Sequence, residues 1–201
     1  MSNPTDPPVT RPRVEGDREL QVLQATLGIL SDVGYDRLTL DAVAARARAS
    51  KATLYRRWNG KVSLVIDALL TMQALSDVPD TGSLRGDLLA SYCGPGGLTD
   101  ASSVATFACV VTALSSDPEF AEAFRRDVVG PKRATTRAIF EQARVRGELR
   151  ADLDLDLVAS ALAGIVLHRS YVLGEVPDTA LITRVIDQII LPAALATPTP
   201  R

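Results

Sequence analysis

A segment in the first third of the chain, residues 39–61, concentrates basic and hydroxyl side chains. Six basic residues and no acidic residue lie between positions 46 and 61: Arg46, Arg48, Lys51, Arg56, Arg57 and Lys61. A run of charge is usually only a solvated face. Guanidinium and ammonium groups also bind phosphate, and nearby hydroxyl and aromatic side chains add contacts to a nucleic-acid backbone. The arrangement of the side chains decides between these two interpretations.

The apolar residues of the same segment predict two short helices separated by a tight turn. Thr39 and Ser50 are suitable N-caps, and Asp41 places a negative charge in the first turn, which favours the helix dipole. The apolar faces at helical spacing are Leu40, Val43, Ala44 and Ala47 in the first helix, and Leu54 and Trp58 in the second. This pattern is typical of a helix-turn-helix.

The opposite side of the second helix is small, polar and basic. Ala52 and Arg56 point away from Leu54, and Thr53 and Tyr55 flank them. Further out, the long side chains of Lys51 and Arg57 can reach past the apolar boundary. Such a helix suits a groove lined by phosphates and base edges, so we favour DNA contact over a solvated face.

Lys61 gives a separate indication of an anionic partner. It falls in the first turn of the next predicted helix, after the N-cap candidate Asn59. A cation there opposes the helix dipole, whereas a phosphate would bind both the ammonium and the free backbone N–H groups. The alternative is a solvated lysine that costs a few tenths of a kcal/mol.

These residues resemble the TetR family of transcriptional regulators over roughly positions 18 to 65. The matching positions are Gly34, Tyr35, Thr39, Leu40, Val43, Ala44, Ala47, Ala49, Ser50, Thr53, Leu54, Tyr55, Trp58 and Lys61. Two positions depart from the family pattern: Arg48 stands where the family usually has glycine in the turn, and Val62 stands where an acidic residue often follows the lysine.

The resemblance implies a homodimer that binds a pseudo-palindromic DNA operator. Phosphate contacts are expected from Thr39, Tyr55, Arg57 and Lys61, with Arg48 as a further one. Base edges would face Lys51, Ala52, Thr53 and Arg56, while Ser50 caps the helix beside the DNA. The resemblance also implies repression that a small ligand relieves.

Composition and charge are consistent with this organisation. The chain has 201 residues, of which 46% are hydrophobic and 4% aromatic, and no strand-like alternation stands out, so we expect an all-α protein. Residues 11–61 carry 10 basic and 6 acidic residues, net +4, whereas residues 62–201 carry 12 basic and 17 acidic residues, net −5. Only the first part is suited to an anionic polymer.

Several other classes of function lack support in the sequence. One histidine, no nucleophile elbow, no metal-ligand spacing and no dinucleotide fingerprint argue against an enzyme, a metal site or a bound cofactor. No secretory signal or apolar run of about 18 residues is present, and Cys93 and Cys109 are expected to be free thiols in the cytoplasm. A helical interaction or ligand-binding module without DNA, or a transcriptional activator, remains an alternative.

We predict about nine helices in two domains. A disordered arm (1–16) precedes a three-helix helix-turn-helix domain (17–61), a helical ligand-binding and dimerisation domain (62–197) and a frayed tail (198–201). The first helix is expected from Asp17 to Gly34. Later helices are expected at 60–76, 84–92, 101–115, 117–147 with a kink at Gly130-Pro131, 154–173 and 178–195.

The larger domain is expected to bind a small, largely apolar effector and to pair two chains. The helices at 154–173 and 178–195 resemble the family's dimerisation pair, with core packing within one chain as the alternative. The candidate ligand contacts are Met72, Tyr92, Phe107, Val111, Phe140, Ile165 and His168. For each, packing in the core is the alternative, and for His168 we favour a buried, hydrogen-bonded core position.

Overall fold

A computed structural model describes residues 12–73, 77–99 and 101–195, and these form nine helices. The helices are α1 (Pro12–Arg37), α2 (Leu40–Arg46), α3 (Lys51–Arg57), α4 (Lys61–Leu70), α5 (Leu84–Cys93), α6 (Ala101–Val111, continued by Ala113–Ser116), α7 (Pro118–Ala123, Phe124–Val129 and Gly130–Val145), α8 (Leu155–Tyr171) and α9 (Thr179–Val185, Ile186–Ile190 and Leu191–Ala194). Outside the helices, the described residues contain a single β-bridge, between Leu149 and Leu195. The all-α prediction is confirmed.

The first three helices and the first turn of α4 form what we call the N-terminal head. Gly34 interrupts α1 with φ of 76°, as predicted for the end of the first helix. However, α1 begins at Pro12 rather than Asp17, so residues 12–16 of the predicted arm are helical. The remaining predicted arm residues, 1–11, lie outside the described part of the chain, as does the predicted tail.

The caps around the head are largely as the sequence indicates. The Thr39 hydroxyl accepts a hydrogen bond from the Ala42 N–H at 3.2 Å, and Ser50 is the N-cap of α3 but makes no capping bond with its side chain. The prediction of Asn59 as the N-cap of α4 is wrong, because Gly60 occupies that position with φ of 122°. Glycine reaches this backbone conformation without the strain a Cβ would cause.

Helix α4 leads from the head into the rest of the molecule. Leu64, Val65 and Ala68 are fully buried, so α4 packs on several sides. The helix ends at Leu70 rather than at the predicted Ser76, and residues 74–76 lie outside the described residues. Beyond α4, the Gln73 side chain donates to the Val128 carbonyl at 3.1 Å, which joins the end of α4 to α7.

The long helix α7 contains a π-helical turn in place of a sharp break at Gly130-Pro131. Residues Phe124–Val129 are π-helical, and the Gly130 N–H bonds to the Arg125 carbonyl. Pro131 has no N–H to donate, so a wider turn before it lowers the cost of the missing bond. The same combination recurs in α9, where Ile186–Ile190 are π-helical just before Pro192.

The buried side chains form two apolar clusters that meet along α7. The first cluster unites the head, α4, α6 and the first turns of α7, including Phe120 and Phe124. The second unites α5, the second half of α7, α8 and α9, including Ile139 and Phe140. The N-terminal head therefore shares its core with the start of α7 and is not packed alone.

A charged cluster joins α5 to the end of α7. Asp87 is fully buried and accepts hydrogen bonds from the Thr81 N–H at 2.6 Å and the Arg146 guanidinium at 2.8 Å. Arg146 also binds Glu148 at 2.6 Å. Burial raises the pKa of the Asp87 carboxyl, but the bonds from Thr81 and Arg146 outweigh it and hold the pKa below its usual value.

The outward face of α8 is apolar and small. Leu157 and Val172 are 71% and 68% exposed, and Gly164 and His168 are exposed between them. The buried position that we favoured for His168 is therefore wrong. Core packing within one chain, the alternative for this helix, applies to its inward side. The core of α8 is made by Leu155, Val158, Leu162 and Val166.

Candidate nucleic-acid interface

The turn between α2 and α3 holds Arg48 in a left-handed backbone conformation. Its φ is 51°, the one positive φ of a residue other than glycine among the described residues. The Arg48 N–H bonds to the Ala45 carbonyl at 3.1 Å, and the Ala49 N–H bonds to Ala44 at 2.8 Å. On α1, the Arg18 guanidinium donates to the Arg48 carbonyl. The turn therefore has the geometry for which glycine is favoured, although arginine occupies it.

Helix α3 is anchored by two buried side chains and presents the predicted contact residues outward. Leu54 and Trp58 are 1% and 3% exposed. The Trp58 indole N–H donates to the Asp67 carboxylate at 2.9 Å, which fixes the end of α3 against α4. The exposed residues of this surface are Thr39, Arg48, Ser50, Lys51, Ala52, Thr53, Tyr55, Arg56 and Arg57.

Three of the six basic residues of the segment form ion pairs within the described part of the chain. Lys51 binds Asp41 at 2.7 Å, Arg57 binds Glu19 at 2.8 Å, and Arg46 binds Asp32. The hydrogen bond to Asp41 raises the pKa of the Lys51 ammonium. Exposed ion pairs contribute little to stability because water screens them, so a phosphate can replace the carboxylate at little cost.

Two other basic residues on this surface carry no such partner. Within the described residues, neither Arg48 nor Arg56 makes a side-chain hydrogen bond or ion pair that would have to break on DNA binding. An exposed guanidinium offers five donors in a planar fork, which fits a phosphate or the O6 and N7 atoms of guanine.

Lys61 is half-buried and held against Tyr35. Its ammonium lies 4.0 Å from the centroid of the Tyr35 ring and donates to the Tyr35 carbonyl at 3.3 Å. The Tyr35 hydroxyl in turn donates to the Asp117 carboxylate, the N-cap of α7, at 2.7 Å. Burial and this carboxylate raise the pKa of the Tyr35 hydroxyl well above its usual value, so it remains a donor.

Sequence reasoning missed several of these supporting residues. The sequence indicates Tyr35 only as one position of the family pattern. The bonds from Arg18 to the turn and from Trp58 to Asp67 join positions that helical periodicity does not pair. Gly28 could have been recognised from the sequence, because a glycine inside a predicted helix is destabilising and often marks a close packing contact. A Cβ there would lie 2.8 Å from the Arg46 guanidinium, which packs across α1.

The seven candidate ligand contacts are divided among the two apolar clusters, the end of α4 and the surface. Phe107 packs against the first apolar cluster, whereas Tyr92, Phe140 and Ile165 belong to the second. Met72 is half-buried after the end of α4, and Val111 and His168 are exposed. A groove of about 620 Å³ along α7, lined by residues such as Arg137, Glu141 and Gln142, includes none of the seven.

Metal and membrane sites find no support in the part of the chain that the structure describes. No group of three or more histidine, cysteine, aspartate or glutamate side chains there could hold a metal ion. The acidic run 152–156 instead contains Asp154, which caps α8 by accepting from the Asp156 and Leu157 N–H groups. Among the described helices, none has the length and apolarity needed to span a bilayer.

Two family models match the chain. The model for bacterial regulatory proteins of the tetR family matches residues 22–68. A model for the C-terminal domain of tetracyclin repressor-like proteins matches residues 78–189.

Relatives and solved structures agree with these matches. An uncharacterized HTH-type transcriptional regulator of Mycobacterium tuberculosis is 36% identical over 194 residues, covering 94% of this chain and 92% of that protein. The DNA-binding transcriptional repressor TetR of Mycobacteroides abscessus is 34% identical over 176 residues, covering 87% and 92%. A crystal structure of a regulator from Pseudomonas syringae superposes with a TM-score of 0.68 at 21% identity, covering 94% of this chain and 100% of that chain, and this likeness concerns the fold.

Proposed function

Because the chain belongs to the TetR family and is thus a DNA-binding transcriptional regulator, we propose that it is a homodimeric repressor. In this proposal, two N-terminal heads bind the two halves of a pseudo-palindromic operator. The observation that carries it is the outward side of α3, where exposed polar and basic side chains stand on a helix anchored by buried Leu54 and Trp58.

The proposed contacts divide into those that position the head and those that read sequence. Thr39, Tyr55, Arg57, Lys61 and Arg48 contact phosphates, which fix the register of the head on the duplex but carry no sequence information. Lys51, Ala52, Thr53 and Arg56 face base edges in the major groove, and Ser50 lies at the N-terminus of α3 beside the DNA. The exposed guanidinium of Arg56, which has no ion-pair partner among the described residues, is suited to guanine.

The outward faces of α8 and α9 are proposed to pair two chains around a two-fold axis. The exposed Gly164 of α8 lets a second helix approach closely, while Leu157 on α8 and Ile189 on α9 supply apolar area. A single head contacts few bases, whereas a dimer doubles the contacts and fixes half-sites about 34–36 Å apart, or a multiple of that distance.

We further propose that a small lipophilic ligand releases the repressor. The binding region would lie among α4 to α8. Its candidate lining is the seven residues Met72, Tyr92, Phe107, Val111, Phe140, Ile165 and His168, of which Met72, Tyr92, Phe107 and Ile165 are half-buried. A ligand that separates the two apolar clusters would change the spacing of the heads and so lower operator affinity. If no apolar compound in a diverse panel shifts either the melting temperature or operator affinity, the proposal of an effector fails.

Salt dependence tests the phosphate contacts directly. Replacing Lys61 with alanine should weaken binding to all duplex sequences alike and lower the slope of log K against log salt by about one unit, since one counterion fewer is released. Lys132→Ala removes the same charge from α7 and should leave the slope unchanged. An unaltered slope in Lys61→Ala would reject this contact.

A reporter assay separates repression from activation. Deleting the gene should raise transcription from a promoter that carries the bound operator, because a repressor blocks access to it. A fall in transcription on deletion would favour the alternative of an activator. A protein that acts without DNA would show no salt-dependent binding to duplex at all.

A further inference from the structure

The contact between Lys61 and Tyr35 lies within the N-terminal head, next to the start of α7. The Lys61 ammonium rests on the face of the Tyr35 ring at 4.0 Å and is bonded to the carbonyl of the same residue. Both contacts come from one residue, so the position of Tyr35 determines where this ammonium is held. A lysine side chain that is already held loses less rotamer entropy when it meets a phosphate.

Tyr35 is itself fixed from α7 by two contacts. Its hydroxyl donates to the Asp117 carboxylate at 2.7 Å, and its ring packs against Phe120 with centroids 4.4 Å apart. Asp117 and Phe120 are the N-cap and an early residue of the same helix, and the Asp117 carboxylate also accepts from the Phe120 N–H at 3.0 Å. Tyr35 is 2% exposed, so little room remains for it to move independently of α7.

From this geometry we infer that Tyr35, held by Asp117, is a positioning residue for the Lys61 ammonium, so that the placement of α7 sets operator affinity. This inference rests on the proposed phosphate contact of Lys61. It adds how the C-terminal part of the chain affects that contact: α7 holds Tyr35 in place, and Tyr35 holds the Lys61 ammonium in place.

The first test needs no DNA. The chain has three lysines, Lys51, Lys61 and Lys132, so partial acylation with acetic anhydride followed by mass spectrometry reports each separately. Tyr35→Phe removes the hydroxyl bond to Asp117 but keeps the ring, and Asp117→Ser removes the same bond from α7, so both variants loosen the support of Lys61 without deleting its cation contact. Each should raise the acylation rate of Lys61 relative to the other two lysines by up to about fivefold, the ceiling set by full loss of one weak cation contact. Serine remains an N-cap for α7 but is too short to replace the carboxylate at Tyr35.

A matched control separates positioning from general loosening of a helix. Asp154→Ser replaces the N-cap aspartate of α8, whose carboxylate accepts from the Asp156 and Leu157 N–H groups of its own helix. It should leave the relative acylation rate of Lys61 unchanged. Equal rates in wild type, Tyr35→Phe and Asp117→Ser would overturn the inference.

The second test is a double-mutant cycle on operator binding. Tyr35→Phe carries no change in charge, and it should weaken operator binding about three- to tenfold in the wild-type chain, because Lys61 must then be ordered on binding. In the Lys61→Ala background the same substitution should have almost no further effect. Equal losses in both backgrounds, or no loss in either, would contradict a role through Lys61.

The two tests distinguish failure of this inference from failure of the proposed function. A wild-type protein that binds no duplex rejects the proposed function, while the acylation rates still decide whether Tyr35 and Asp117 hold Lys61. Circular dichroism shows whether each variant folds. If Tyr35→Phe or Asp117→Ser does not fold, the acylation test is made with the other one.

Discussion

Arg48 combines two roles at one residue of the turn. Its backbone takes a conformation with φ of 51° that costs a non-glycine residue about 1 kcal/mol. Its side chain is exposed and, in the part of the chain that the structure describes, makes no hydrogen bond or ion pair that would have to break before it meets a phosphate. Arginine at this position therefore strains the turn but places a basic group next to α3.

Substitutions at Arg48 should separate these two roles. Arg48→Gly should raise the free energy of unfolding by about 0.5–1 kcal/mol, because glycine relieves the positive φ. Arg48→Ala removes the same charge but keeps the strain, so it should give no such gain. Both should weaken duplex binding equally. Urea denaturation measures the first effect, and a glycine variant no more stable than the alanine variant would contradict it.

At the level of single residues, the sequence predicts which side chains are exposed better than it predicts which side chains bind each other. The 3.6-residue period places Leu54 inward and Thr53, Tyr55 and Arg56 outward, and each prediction of exposure is confirmed. Partners such as Glu19 for Arg57, or Asp117 for Tyr35, lie 38 and 82 positions apart. Such pairs depend on how helices cross, which local periodicity does not encode.

Among the helices, α7 does most to connect the two apolar clusters. Its first turns carry Phe120 and Phe124 into the first apolar cluster, and its second half carries Ile139 and Phe140 into the other. The π-helical turn between them lets one continuous helix accommodate Pro131. The sequence predicts an interruption at Gly130-Pro131, but a proline alone does not distinguish a kink from a wider turn.

The buried Asp87 should make the junction of α5 and α7 sensitive to acid. Its pKa is depressed in the folded chain, so its contribution to stability is present above the unfolded-state pKa of about 3.9 and is lost as pH falls through the lower folded value. Asp87→Asn should lower the free energy of unfolding at pH 7 by about 1–3 kcal/mol and flatten its fall in acid.

A surface aspartate provides the comparison for this pH effect. Asp152 pairs with Arg150 at 3.1 Å, but their side chains are 80% and 50% exposed. Asp152→Asn should change the free energy of unfolding at pH 7 by less than about 0.5 kcal/mol. Denaturant titrations between pH 7 and pH 3 measure both variants, and a difference between wild type and Asp87→Asn that does not shrink in acid would contradict this assignment.

On the scale of the whole molecule, a row of aromatic rings connects the head to α8. Neighbouring ring centroids lie 4.4 Å apart between Tyr35 and Phe120, 5.8 Å between Phe120 and Phe124, 5.8 Å between Phe124 and Phe107, and 5.6 Å between Phe107 and Tyr171. Because closely packed rings resist compression, we expect a displacement of α8 to move α6 and α7 as well. The proposed dimer helix and the head are thus parts of one packed structure.

Pairing through α8 can be tested at its exposed glycine. Apart from its chain neighbours and its own helix backbone, no described atom lies within 4 Å of where a Cβ on Gly164 would stand, so Gly164→Arg should leave one chain folded. In a dimer it would place bulk and like charge on both sides of the two-fold axis and raise the dissociation constant at least about hundredfold. Val145→Arg changes a residue that is 88% exposed on α7 and should leave the dimer intact.

Sedimentation velocity over a range of concentrations measures this outcome. The Gly164→Arg chain should sediment as a monomer where wild type and Val145→Arg sediment as dimers. A Gly164→Arg chain that remains dimeric would place the interface elsewhere.

The central claim is that two paired heads bind duplex DNA through their basic surface, and the mass of the complex tests it most directly. Duplexes selected from a random pool at low salt should carry protein in multiples of two chains, with recovered sequences that contain inverted half-sites centred about 34–36 Å apart or a multiple of that. Raising the salt from about 50 to 200 mM should then weaken binding by orders of magnitude. Recovery of no duplex, or of complexes that hold one chain on a single half-site, would contradict the account.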